Sequence, residues 1–360
     1  LCAAMGVSPR ELHARHLAVL QQTLLRQDAS IIGVRSRDEL DLARRAQATA
    51  SSTLTGIALE QSGETYPLGM DAALLLPVHP VLSGLELLLD ACSDTELTVE
   101  LWDTGRKENY VPHTLQVTAT VNVTAGTAQW VNFPLEWRPE EPQNAFIIIR
   151  ANETISLYHS TEAHSGVLIF FRTEENHVSK NLEDHATDQP VVLWSMQGLA
   201  RQPFCCRTLS ETTAYSADNT INGYHRPFGG PQQWMSQPMQ SGRPEWVQLT
   251  WEDPQTLAEL HLTFNDDVNE DLVNLHHHHT TFRVMPELVR DYRVEVLALS
   301  GEWIEIINVT ENRRRKVIHS LDTPVYAQAL KVRIDATNGS RYAELIEIRA
   351  YGEPTATGKS

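Results

Sequence analysis

The side chains able to do chemistry concentrate in two loops of the C-terminal half. Residues 222–233 read NGYHRPFGGPQQ and carry Tyr224, His225, Arg226, Phe228 and Gln232 in one short, glycine- and proline-rich stretch. Aromatic rings offer a face to the C–H surface of a sugar, and Arg, His and Gln side chains exchange hydrogen bonds with hydroxyls. Further along, Asp266, Asp267, Glu270 and Asp271 precede four consecutive histidines, His276 to His279. Imidazole is the commonest transition-metal ligand, and a run beside carboxylates could take Zn or Ni. In an extended run neighbouring rings point to opposite sides, so only alternate members such as His277 and His279 share a face. No further ligand is fixed by spacing. The run therefore reads as a metal site, as a loop lining a sugar pocket or docking on a partner, or as an exposed polar strand.

Covalent and redox chemistry find less. No Ser-His-Asp or Cys-His set has diagnostic spacing, and no G-x-G-x-x-G follows a strand, so no cofactor is expected within these residues. The many carboxylates could supply a glycosidase pair, but they also suit a solvated acidic surface. The formal net charge of −17 argues against nucleic acid as a partner, because phosphate binding needs a concentrated positive field. The run Arg313-Arg314-Arg315-Lys316 reads as a turn between strands. No apolar run approaches a membrane span, so no membrane partner is expected. Cys2, Cys92, Cys205 and Cys206 form no disulfide framework, which points to free thiols and a reducing, cytoplasmic compartment.

Strands must position these loops. Glu245 to Trp251 alternates, with Val247, Leu249 and Trp251 on one face and Trp246, Gln248 and Thr250 on the other. Short strand-like runs at 72–76, 84–89, 97–102, 115–123, 129–135, 145–150 and 167–172, separated by Pro, Gly, Asp and Asn turns, predict an all-β sandwich upstream. Phe146-Ile147-Ile148-Ile149 is apolar on both faces, as a central strand would be. Between Phe264 and Tyr292 lies a connection far longer than a hairpin loop, which marks it as functional or disordered.

The motifs of the second half arrive in a familiar order: a small-residue strand, Asn222-Gly223, Trp234-Met235-Ser236, Trp246-Val247-Gln248-Leu249, Asp291 to Val296, Gly301-Glu302-Trp303, Ala329 to Ile334, and Tyr342 to Gly352. This pattern resembles the discoidin (coagulation factor 5/8 C-type) family of galactose-binding-like β-sandwiches. The resemblance implies ligand binding by loops at one end of the sandwich, here those holding Tyr224, His225, Arg226, Phe228 and Gln232 with the 265–291 connection nearby. It implies core positions for Trp234, Trp246 and Trp303. It also implies a structural Ca²⁺ held where Asn222 stands, with Glu344 or Glu347 as the carboxylate. Asn222 replaces an Asp there and removes one formal charge from a hard-cation site; it could instead accept the φ > 0 conformation of its turn.

At the other end, Ala3-Ala4-Met5-Gly6-Val7-Ser8-Pro9-Arg10-Glu11-Leu12 and the following Leu-Gln-Gln helix resemble the closing segment of FAD-dependent oxidoreductases of the glutathione-reductase-like type. Ser8, Pro9 and Glu11 form a capping box with Pro at N1. That resemblance implies an upstream flavin domain as parent and partner, with FAD held only there. The expected fold is mostly β, two galactose-binding-like, jelly-roll β-sandwiches preceded by a short helical N-terminal segment. The expected boundaries are 1–46 helical, 47–173 first sandwich, 174–203 connector and 204–355 discoidin-like sandwich. The expected function is a non-catalytic carbohydrate-binding or domain-docking region. A hydrolase using acidic residues in the inter-sandwich cleft and a protein–protein adaptor are the alternatives.

Overall fold

The computed structural model describes residues 39–107, 109–172, 194–195, 202–268 and 282–352. The fold is mostly β, in multiple antiparallel sheets. Residues 1–38 of the segment expected to be helical and the His276–His279 run lie outside the described residues; among the described residues of that segment there is one 3₁₀ turn, Leu42–Arg45.

The first sandwich packs two six-stranded sheets face to face. One runs Trp194–Ser195, Leu168–Arg172, Ala72–Val78, Gln143–Ile149, Thr95–Asp103, Leu115–Val123. The other runs Ala58–Leu59, Cys206–Thr208, Leu85–Ala91, Ile155–Ser160, Ser62–Pro67, with Gly126–Phe133 also pairing on Leu85–Ala91. Leu74, Leu76, Leu87, Leu89, Ile147 and Ile149 meet between them. Each such aliphatic side chain removed from water stabilises by about 1.5–3 kcal/mol. The double apolarity of Phe146–Ile149 is also explained: Phe146 and Ile148 face the back of their sheet and pack with Ala73, Leu75 and Phe170 in a separate cluster.

In the second sandwich the sheet order is Trp234–Met235, Glu344–Tyr351, Glu245–Phe264, Lys316–Thr337, Val289–Leu297, Trp303–Val309. Two long strands, Glu245–Phe264 and Lys316–Thr337, pair along nearly their whole length, with register breaks around Asp253-Pro254. Drawn straight, 20 residues would span about 66 Å. Yet the Phe264 ring lies 4.9 Å from that of Tyr292, which sits in register with Ile334 and hence with Glu245 at the other end. The ribbon therefore folds over, and its two halves enclose one core containing Val247, Leu249, Leu260, Leu262, Tyr292 and Trp234. The alternation read from the sequence holds, since Val247, Leu249 and Trp251 are all buried.

The domain order differs from the sequence reading. Gln47–Ala50, expected to open the first sandwich, pairs antiparallel with residues 247–250 of the second. Conversely Cys206–Thr208, expected in the second sandwich, pairs with Leu85–Ala91 of the first. The first sandwich is thus inserted behind the first strand of the second. A small-residue strand such as Ala48-Thr49-Ala50 carries no mark of which sheet it will join, and chain order suggested the wrong one. Entry and exit of the insertion are adjacent: the Thr212 amide donates to Thr55 O at 2.8 Å, and the Leu54 amide to Met235 O at 2.8 Å.

Two tryptophans also differ. Trp234 is fully buried, with its Nε1 donating to Ser52 O at 2.9 Å. Trp246 and Trp303 lie on the outer sheet face, Trp303 37 % exposed, with the Lys331 ammonium 5.1 and 3.7 Å from their ring centroids. Strand alternation puts position 246 opposite the buried Val247 and Leu249, so Trp246 cannot share the core with them.

Because its ends meet, residues 56–211 are expected to be replaceable by a short Gly-Ser linker. The remaining chain should keep an all-β circular dichroism spectrum and a cooperative melt, at a lower midpoint because Tyr215, Met235 and Tyr342 lose their packing against the insertion. A non-cooperative melt of the excised protein would contradict nesting of independent units.

Candidate functional site

The loop singled out from the sequence does not stand open at the end of its sandwich. It docks on the first one, and between them lies a pocket of about 210 Å³. Tyr224, Phe228, Asn219, Asn222 and Gln232 form one wall; Val78, His79, Lys107 and Pro142 form the other. Ser216 begins the loop by capping the 3₁₀ turn Ala217–Ile221. Asn219 Nδ2 donates to Ala214 O (2.9 Å) and Gln233 O (3.0 Å), tying the loop's start to its end. Asn222 Oδ1 accepts from the Tyr224 amide at 2.8 Å, an Asx turn, and its Nδ2 donates to Gln232 Oε1 at 2.8 Å. The positive φ of the turn falls on Gly223 (85°), while Asn222 stays at −75°. Gln232 Nε2 donates to Phe228 O at 2.7 Å.

Docking requires a glycine. The Gly229 amide donates to Lys107 O at 3.0 Å, and a Cβ at Gly229 would stand 2.5 Å from Pro142 O, at a φ of 68°. Tyr224 and Phe228 stack with ring centroids 5.4 Å apart and an interplanar angle of 17°. The Lys107 ammonium lies 5.8 Å from the Phe228 centroid and pairs with Glu141, whose carboxyl is held below its ordinary range by that ammonium. His79 Nδ1 shares a 2.5 Å hydrogen bond with Thr213 Oγ1. The surface thus combines aromatic rings and amides on one wall with imidazole and ammonium on the other, with no carboxylate among its described lining residues. It suits a small neutral polyol.

Of the residues read from sequence, the structure brings Asn222, Tyr224, Phe228 and Gln232 to the pocket. His225 is half-buried and Arg226 exposed, and neither lines it. His277 and His279 lie outside the described residues. His79, Lys107 and Pro142 were missed; they come from a sandwich whose docking no local pattern announces.

The three residues implied for Ca²⁺ are engaged separately. Asn222 serves its turn, and Glu347 pairs with Arg349 at 2.8 Å. Glu344 is buried, and its Oε2 accepts from Ser165 Oγ (2.7 Å), Gln233 Nε2 (2.7 Å) and Asn265 Nδ2 (2.6 Å). A Ca²⁺ site needs six to eight oxygen ligands, whereas the amide groups here present hydrogens. Among the described residues no group of three His, Cys, Asp or Glu could hold a metal. The donor set does not fit the ion. Instead Glu344 joins the sandwiches, since Ser165 belongs to the first and Gln233 and Asn265 to the second. Tyr215 adds a bond to Ser165 O at 2.7 Å beside the buried His164.

No family model and no curated protein matches the chain. Solved structures do match over part of it. One is the family 32 carbohydrate-binding module of Streptococcus pneumoniae EndoD, at 16 % identity and TM-score 0.30, covering 39 % of this chain and 86 % of that one. Another is chitosan-binding module 1 of a Paenibacillus sp. IK-5 chitosanase/glucanase, at 17 % identity and TM-score 0.29, covering 39 % and 86 %. A third is the family 32 module of Clostridium perfringens NanJ in complex with galactose, at 12 % identity and TM-score 0.27, covering 37 % and 82 %. At such identities and scores these likenesses assign no ligand to the present chain.

Burial pushes the Glu344 carboxyl from 4.5 up to about 7, with Glu287 adding to it against the three donors. Between those values the folded protein holds a proton that the unfolded chain has released, so this group's contribution to stability falls as pH rises through the window. Burial of Asp41, raised to about 7, acts with the same sign; His164 and His261, both lowered to about 4 by burial, act with the opposite sign. Comparison of Glu344→Gln with the parent isolates the one group. Urea unfolding should show the variant gaining about 3 kcal/mol relative to the parent between pH 4 and pH 8. A pH-independent difference would show that the carboxyl stays ionised.

Proposed function

We infer that these residues form a non-catalytic carbohydrate-binding region that takes a single uncharged sugar ring between its two sandwiches. The observation that carries this reading is the stacked Tyr224–Phe228 pair, with amides beside it and His79 on the opposite wall, in a pocket of about 210 Å³. An apolar ring face meets the C–H side of a sugar, and the remaining acceptor lone pairs of Asn219, Asn222 and Thr213 take hydrogen bonds from its hydroxyls. The volume falls below the 300–1,000 Å³ of pockets for drug-sized ligands, in keeping with one ring. A glycosidase pair needs two carboxylates flanking the bond to be cleaved, and the described lining supplies neither, so the hydrolase reading gains no support.

The finer reading, that the region belongs to an FAD-dependent oxidoreductase, rests on the resemblance of residues 3–12 and the helix after them. It is tested by purifying the full-length natural protein and extracting it for flavin. A protein free of flavin, with no dinucleotide-binding motif upstream of Leu1, would remove it.

For the sugar site, immobilised neutral polysaccharides in affinity electrophoresis should retard the protein. Phe228→Ala should weaken the response about tenfold or more, equivalent to ~1.4 kcal/mol. Gly229→Ala should do the same through the loop's contact with Pro142. Retardation unchanged in both variants would place the ligand elsewhere.

A further inference from the structure

On the second sandwich, the loops 239–244 and 335–341 border an open groove of about 630 Å³ into which four arginines project, Arg243, Arg293, Arg333 and Arg341. In a chain of net charge −17 such convergence is unexpected. Asp335 is the one carboxylate among the groove's lining residues. Two of the arginines are braced from behind. Arg293 forks onto Asp335 at 2.9 and 2.7 Å, and Arg341 reaches Glu162 of the first sandwich at 3.0 Å while lying over the Tyr342 ring. Arg333 touches Glu295 and Asp335 only at 3.7 and 3.5 Å, and its buried Nε makes no hydrogen bond among the described residues. Arg243 is exposed, with the Gln240 side chain at 3.4 Å and no carboxylate partner among the described residues.

Guanidinium forks match planar carboxylates in two-point geometry. Small polar residues, Ser241, Gly242 and Ser340, keep the rim low, and Trp246 stands beside Arg333 on the adjoining sheet face. We propose that this groove is a second binding site, for a carboxylate-bearing oligosaccharide such as a uronic acid chain. The carboxylate is taken by Arg243 and Arg333, while Arg293 and Arg341, paired with Asp335 and Glu162, hold the groove's walls. That the carrier is a sugar rests on the reading of the Tyr224–Phe228 pocket; that it carries a carboxylate does not. Distant acidic groups do little against it, because at 0.15 M salt a charge is screened within about 8 Å.

Calorimetric titration of the whole chain with three probes tests this: a short oligogalacturonate, its fully methyl-esterified form, and an oligoglutamate of equal charge. The oligogalacturonate should bind at least tenfold tighter than the other two and weaken as salt is raised. Arg243→Gln should lower its affinity about tenfold and Arg243→Lys less, whereas Phe228→Ala should leave it unchanged. Equal binding of the methyl ester would overturn the carboxylate assignment, and equal binding of oligoglutamate the saccharide assignment. Indifference to both Arg243→Gln and Arg341→Gln would remove the groove as the site. Loss of the Tyr224–Phe228 sugar site with this binding intact would separate the two readings.

Discussion

One buried carboxylate sets the relation between the two halves of this molecule. Glu344 sits where its own strand, the chain after Phe264, the Trp234 strand and the His164–Ser165 turn of the insertion converge. Taking a carboxylate out of water is costly, and three side-chain donors on one oxygen are what make the position tolerable. Because those donors come from both sandwiches, neither can shift without exposing a half-satisfied polar group. The apolar contacts of Tyr215, Met235 and Tyr342 with the first core supply area, but area is non-directional. The hydrogen bonds supply the register. The pocket inherits its geometry from this, since each of its walls belongs to a different sandwich.

Much of the architecture was legible in the sequence wherever the signal was local. The alternation of Trp246 to Trp251 and the strand 115–123 are visible because period-2 patterning is a short-range property. The doubly apolar run at Phe146 was rightly placed in a sheet centre for the same reason. What failed required knowledge of partners. Ala48-Thr49-Ala50 has the same face pattern in either sandwich, and its actual partner, Val247 to Thr250, lies far along the chain. The family resemblance implies a core position for Trp303, yet it pairs across the strand with Leu297 on an outer face, where Lys331 covers it.

The site divides in the same way. Tyr224, Phe228 and Gln232 are singled out by the family resemblance, which points to their loop, and by the loop's aromatic and amide side chains. His79 and Lys107 are not, because nothing in their neighbourhood distinguishes them from other surface residues before the Gly229 loop closes on them. Glu344 was singled out through a family resemblance that implied a cation. The same position is occupied here by protein donors, and the only trace in the sequence is a set of amides, Gln233 and Asn265, with no short-range reason to be buried.

Nesting one sandwich inside another also dictates the order in which the chain can be completed. The Trp246 amide reaches back to Ser51 Oγ across 195 residues, and no part of the 47–50 strand can pair until ribosomal synthesis has passed its partner. Closing so long a loop from a disordered chain would carry a logarithmic entropy cost. Here the intervening residues form a unit whose ends already touch at Thr55 and Thr212, so once that unit has formed the loop to be closed is only residues 51–55 and 212–246. The inner sandwich acts as a scaffold for the outer one, and a lesion confined to its core would be felt first as a failure of the outer strands to find each other.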